Sequence, residues 1–199
     1  MNVRLRKNFE FQAALVYENR FMINHYRVDV SIITNTNDHQ QQNVAYERMK
    51  YWIHEVMQDS ILINEDNDLI DNLAQMDARV LAMPNEPVDQ LVGIMLYLKL
   101  NAIMEDRMLV TDVEICSSQG DFTTYLHNMK ENIGSDLAKE GWWSDSKPTW
   151  ESVRSRDQGK VVNLGRVTEW KIYDLDWKDP TEAEKDSVVF ANFKKDETE

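Results

Sequence analysis

Four histidines, one cysteine and thirty-five carboxylates are the side chains with which this 199-residue chain would have to do chemistry. The histidines, His25, His39, His54 and His127, are scattered. No two stand within four positions, so no pair shares one helical turn as metal ligands do in a helical zinc motif. Cys116 is alone, which excludes an internal disulfide and any zinc site built on cysteine pairs. With Val113 and Ile115 beside it, it reads as a structural thiol on a strand. Ser117 and Ser118 would need a neighbouring base to become nucleophiles, and spacing assigns none. Carboxylates are so abundant that no acid–base pair stands out. Phosphate-cradling glycine loops, the nucleophile elbow, helical zinc-protease wording and calcium loops are all missing. The sequence therefore nominates no catalytic residue, no metal ligand and no cofactor.

Composition sets wider bounds. Hydrophobic residues at 42% and charged residues at 29% place the chain among globular proteins. Its net charge of −13 works against nonspecific nucleic-acid binding, which needs a basic surface to displace counterions. An anionic membrane is disfavoured for the same reason. One local exception is the cluster Arg4, Arg6 and Lys7. The start of the chain has no long apolar export segment, and no window approaches ~18 uninterrupted apolar residues. The expectation is a cytoplasmic protein.

Hydrophobic period divides the chain into elements. Residues 3–16 and 26–32 alternate as half-buried strands, and the polar stretch 34–43 reads as a loop. Val44, Met49, Trp52, Ile53, Val56 and Met57 form one helical stripe. A second helix is expected over 86–106, with Asn85 as its cap and Pro87 in its first turn. Its apolar residues cover nearly the whole circumference, so it must be buried on more than one side. Either an oligomer interface or the C-terminal extension has to supply the second cover. Residues 109–116 return to strand alternation, 122–133 suggest a short helix, and 160–164 and 169–177 suggest two further strands before an acidic tail.

Local wording resembles one family, the T-fold 6-pyruvoyl- and 6-carboxytetrahydropterin synthases. Phe11-Gln12-Ala13-Ala14-Leu15 stands beside the family's F-x-A-A-H strand, and Met22 to Val28 beside its H-G-H-x-Y-x-V strand. Asp59 to Asn64 stands beside its D-H-x-x-L-N segment, Glu86 to Val92 beside its P-T-x-E-N-L-A helix start, and Val113 to Cys116 beside its W-E-T strand end. The likeness spans about residues 9–125. It implies an α+β fold: an antiparallel ββααββ sheet backed by two helices over residues 1–140, followed by an extension over 141–199.

The resemblance also says what is missing. The family's three zinc-binding histidines correspond to Leu15, Met22 and Asn24, and its catalytic histidine corresponds to Ser60, beside a retained Asp59. Leucine cannot ligate, a thioether suits softer ions than zinc, and an amide is a poor zinc donor. His25 lies one residue off the pattern and so belongs on the opposite face of its strand. One family position survives as Glu114, matching the glutamate that accepts the N–H edge of a pterin or purine. In simple alternation Glu114 is equally a polar residue between Val113 and Ile115. The expectation is a catalytically degenerate binding or assembly protein. It would be homo-oligomeric and bind no zinc, with a pterin- or purine-like ligand at Glu114. A structural module that docks a protein partner is the alternative.

Overall fold

A computed structural model describes residues 4–76, 78–134, 137, 141–150 and 169–177. Alternation produces a long antiparallel hairpin from β1 (Arg4–Tyr17) and β2 (Arg20–Thr34). Its turn sets Glu18 and Asn19 at positive φ. Phe9, Phe11, Ala13 and Leu15 on β1 and Tyr26, Val28, Val30 and Ile32 on β2 point to one buried face. Phe11 stacks on its register partner Tyr26 with ring centroids 4.8 Å apart. The other face carries Arg6, Glu10, Arg27 and Asp29 towards solvent. β5 (Met108–Ser117) adds antiparallel to β2, and β6 (Tyr125–Asn128) adds to β5.

Two strands extend the sheet on its other side. β3 (Ser60–Asn64) runs parallel to β1, and β4 (Val80–Met83) runs parallel to β3. The architecture is α+β, a mixed six-stranded sheet ordered β4-β3-β1-β2-β5-β6. The expected sheet was antiparallel, with residues 59–64 compared to a helix end. Ile61, Leu62 and Ile63 are instead a short apolar run, which periodicity alone cannot divide between strand and helix. Residues 122–133, read as a short helix, contain β6.

The helices pack on the apolar face. α1 (His39–Tyr51) begins inside the stretch expected to be a loop, because the Asp38 carboxylate accepts from the Gln40 and Gln41 amides at 2.8 and 3.3 Å. It continues as a π-helical turn over Trp52–Met57, which buries Trp52, Ile53, Val56 and Met57. A short α2 (Leu69–Gln75) lies between β3 and β4. α3 (Asp89–Met104) starts after Val88, whose side chain makes no capping bond, so Asn85 is not its cap. It packs closely on β5: a Cβ added to Gly93 would stand 2.8 Å from Ile115 Cγ2.

The outer side of α3 is covered from within the chain. Lys99, fully buried, donates to the carbonyl oxygens of Asp145 at 2.6 Å and Lys147 at 2.8 Å. Its Nζ also lies 4.2 Å from the Trp52 ring centroid, a cation–π contact. Trp142 stacks on Trp52 and donates its indole N–H to Ala82 O at 2.8 Å. On α1, buried Arg48 donates to Leu175 O, Ile103 O and Glu105 Oε1 at 2.8, 3.1 and 2.9 Å. Its guanidinium lies 3.8 Å from the Trp177 ring centroid and 4.7 Å from that of Trp170. Of the two strands expected in the extension, 160–164 lies outside the described residues, and Trp170–Tyr173 is a 3-10 turn. Residues 145–149 therefore lie against α3 at Lys99, on the helix whose apolar surface suggested an oligomer interface.

Burial pushes the Lys99 ammonium down to about 7, and nearby Asp145 opposes the shift. A lysine whose folded pKa lies below its unfolded value holds fewer protons folded than unfolded between those values. Stability then rises with pH from about 7 towards 10.5, with a slope of up to about 1.4 kcal/mol per pH unit. Lys99→Met should flatten that rise and lower stability, because it strips donors from buried carbonyls. Urea unfolding of both proteins at pH 7, 8 and 9 checks this. Equal slopes in the two proteins would show that Lys99 is not titrating in the folded state.

Candidate functional site

Alternation on β1 and β2 decides which side of the sheet each candidate reaches. Leu15 pairs with Met22 and Ala13 with Asn24, and all four project to the helix-facing side. Leu15 and Asn24 are buried there. The three positions that match the family's zinc histidines thus stay together in space. Their side chains are an aliphatic group, a thioether and an amide, and this set does not fit zinc. Among the described residues no cluster of three or more His, Cys, Asp or Glu is placed to hold a metal ion. His25 is exposed on the opposite face, as the one-residue offset requires. Asp59 sits at positive φ in the turn entering β3, while Ser60 is buried and donates to Met57 O at 2.8 Å.

Around Asn24 the interior holds a polar knot that the sequence did not single out. Asn24 Oδ1 accepts from Ser118 Oγ at 3.0 Å and from the Gln119 amide at 2.9 Å. Ser117 Oγ lies 2.8 and 2.7 Å from the two oxygens of Asp89, in the first turn of α3, and accepts from the Gly120 amide at 3.1 Å. A Cβ on Gly120 would collide with the Asp89 carboxylate and force it to shift. Burial pushes the Asp89 carboxyl upward, and the Ser117 hydroxyl opposes it. Burial also raises the Tyr26 phenol, the neighbouring Asn24 amide opposes, and Asp89 adds to the rise. Among the described residues, neither Asn24 Nδ2 nor the Tyr26 hydroxyl has a hydrogen-bond partner. The sequence named Asn24, Ser117 and Ser118 separately, and no spacing joined them to each other or to Asp89.

Glu114 lies on the other face. It pairs with Asp29 across β5 and β2, and its side chain is about one-third exposed. Arg6 reaches across from β1: its Nη2 is 2.9 Å from Glu114 Oε2 and 3.2 Å from Asp29 Oδ2. The Asp29 hydrogen bond, followed by the charges of Glu114 and Asp29, raises the Arg6 pKa. Beside this group, Arg27 pairs with Glu10 at 3.2 Å. Cys116 is partly buried opposite Arg27 in the register. The open face is thus a surface of fixed charges in which two adjacent carboxylates share one guanidinium.

No family model matches the chain, and no curated protein matches it. Among solved structures it is similar to an uncharacterized protein from Wolinella succinogenes, at 13% identity and a TM-score of 0.47, covering 65% of this chain and 99% of that one. It is also similar to 6-pyruvoyl tetrahydropterin synthase from Plasmodium vivax, at 12% identity and a TM-score of 0.42, covering 65% and 99%. The corresponding synthase of Caenorhabditis elegans is 12% identical with a TM-score of 0.39, covering 64% and 96%. No helix among the described residues is long and apolar enough to cross a membrane.

Ser117→Ala would leave the buried Asp89 carboxylate without its hydroxyl donor and the Gly120 amide without its acceptor. The expected loss is about 1–3 kcal/mol of stability at pH 7. Chemical denaturation measures it. A change below about 0.5 kcal/mol would mean that water replaces the hydroxyl at little cost.

Proposed function

We propose that this chain is a non-catalytic, T-fold-like binding protein that takes a planar, N–H-rich ring of pterin or purine type on Glu114. One observation carries the reading: Arg6 already offers Glu114 and Asp29 the kind of group such a ring presents. A guanidinium is a flat fork of N–H donors, and the amidine-like edge of a pterin or guanine has a similar donor arrangement. Arg6 is 56% exposed, so a ligand can displace it without opening the core. The ring class comes from the sequence resemblance at Glu114. The absence of catalysis is inferred from Leu15, Met22 and Asn24 at the positions of the family's zinc ligands.

Isothermal titration with pterin, guanine and 7-deazaguanine compounds tests the reading. Glu114→Gln replaces an acceptor with a donor and should weaken binding about tenfold or more. Arg6→Gln removes the internal competitor and should strengthen it. Both side chains are partly exposed, so folding should change little. The proposal fails if no ring compound binds the wild type or Arg6→Gln, or if Glu114→Gln binds equally well.

A second reading, assembly, rests on the β6 edge. Tyr125, Leu126 and Met129 are 41, 53 and 54% exposed on or just after this edge strand, and Phe122 before it is 51% exposed. An edge strand flanked by apolar side chains invites pairing with another chain. We propose a homo-oligomer joined there, with docking of a different protein as the alternative occupant. Light scattering at micromolar concentration should give a multiple of the chain mass, and Leu126→Lys should shift it towards the monomer. A monomeric mass for the wild type would remove self-assembly and favour the interaction-module reading.

A further inference from the structure

A groove of about 600 Å3 opens where the start of β1, the end of β2, the start of β5 and the residues after β6 converge. A β-bulge contributes to its shape. Ser31 pairs with Asp112 and Ile32 with Val110, so Thr111 has no register partner, and a strand bends where it carries an extra residue. The groove lies far from the Leu15, Met22 and Asn24 cluster. Arg4 and Leu15 are eleven residues apart on β1, about 35 Å at the rise of an extended strand.

Its lining is unusual for a chain of net charge −13. Arg4, Arg6 and Lys130 border it, with Asp112 as the only acidic lining residue. Arg6 is engaged by Asp29 and Glu114. Arg4 and Lys130 side chains form no ion pair or hydrogen bond with the described residues, so two free cations face one depression. Apolar surface adjoins them: Leu5 and Met129 are 41 and 54% exposed. A groove of this size matches the volume of ordinary small-molecule sites, which combine apolar walls with a few polar anchors.

We infer that this groove binds a small organic anion, with a phosphate or carboxylate group held between Arg4 and Lys130 and an apolar body against Leu5 and Met129. Guanidinium supplies a two-pronged contact to an oxyanion and ammonium a compact point charge. The surrounding negative charge of the chain makes other regions of the surface poor competitors for an anion. Its two anchoring cations form no ion pair with Glu114 among the described residues, although Arg6, which borders the groove, does.

Titration with phenyl phosphate and benzoate, each against inorganic phosphate and acetate, tests the inference by amide NMR at low salt. At least one aromatic anion should saturate at millimolar concentration and bind more tightly than its inorganic or acetate counterpart. Shifted amides should cluster at residues 4–6, 31–33 and 128–130. The Arg4→Ala/Lys130→Ala double variant changes only exposed side chains and should weaken binding at least tenfold, while Glu114→Gln, which loosens Arg6 beside the groove, should not weaken it. The inference is overturned if neither aromatic anion binds, if binding survives the double variant, or if the small anions bind as tightly. Loss of binding in Glu114→Gln alone would also overturn it, by placing the anion at the carboxylate site.

Discussion

The residues of α3 are apolar nearly all round, and covering that helix organises much of the described chain. One side rests on the sheet through Gly93 and Ile115. The other is closed by the segment around Trp142 and Trp143, held by hydrogen bonds from a lysine in the middle of α3. A buried lysine is an expensive anchor, because its ammonium leaves water to enter the interior. It is tolerated because carbonyl oxygens and the face of Trp52 surround it. Arg48 on α1 anchors in the same manner, between the rings of Trp170 and Trp177. Two cations from the helix layer thus hold segments more than forty residues further along the chain against the core.

One side of the sheet is committed to that packed interior, and the other side carries the exposed charges among the described residues. Strand alternation makes the separation sharp. Residues one position apart, such as Asn24 and His25, belong to different environments, one fully buried and the other exposed. The cluster of Leu15, Met22 and Asn24 falls on the helix-facing side. Glu114 falls on the open side among charges that remain accessible. The Asn24 cluster and Glu114 therefore lie on opposite faces of the sheet.

Much of this was legible in the sequence, and what was not has physical causes. The alternation of Tyr26, Val28, Val30 and Ile32 placed β2 and its buried face correctly, and the all-round apolar pattern of 86–106 correctly required two covers for α3. β3 and β4 were hidden because Ile61–Ile63 and Val80–Met83 are short apolar runs with no alternation to separate strand from helix. The first turn of α1 looked like a loop because its residues are polar, and only the Asp38 cap distinguishes it. Lys99 and Arg48 gave no signal: a cation in a helical sequence normally marks the solvated face, and here the partners that bury them are backbone carbonyls. Glu114 was singled out through resemblance alone. Its grip on Arg6 was not legible, since 108 residues separate the two.

The grouping of aromatic rings has an optical consequence. All six tryptophans of the chain, at positions 52, 142, 143, 150, 170 and 177, either line the contact between the helix layer and the later segments or belong to those segments. None lies on the open face of the sheet. Emission from indole responds to nearby charge and to water, and here two rings stand against Arg48 and one against Lys99. The intrinsic fluorescence of the protein is therefore a local gauge of whether the later segments are seated, and is nearly blind to events around Glu114.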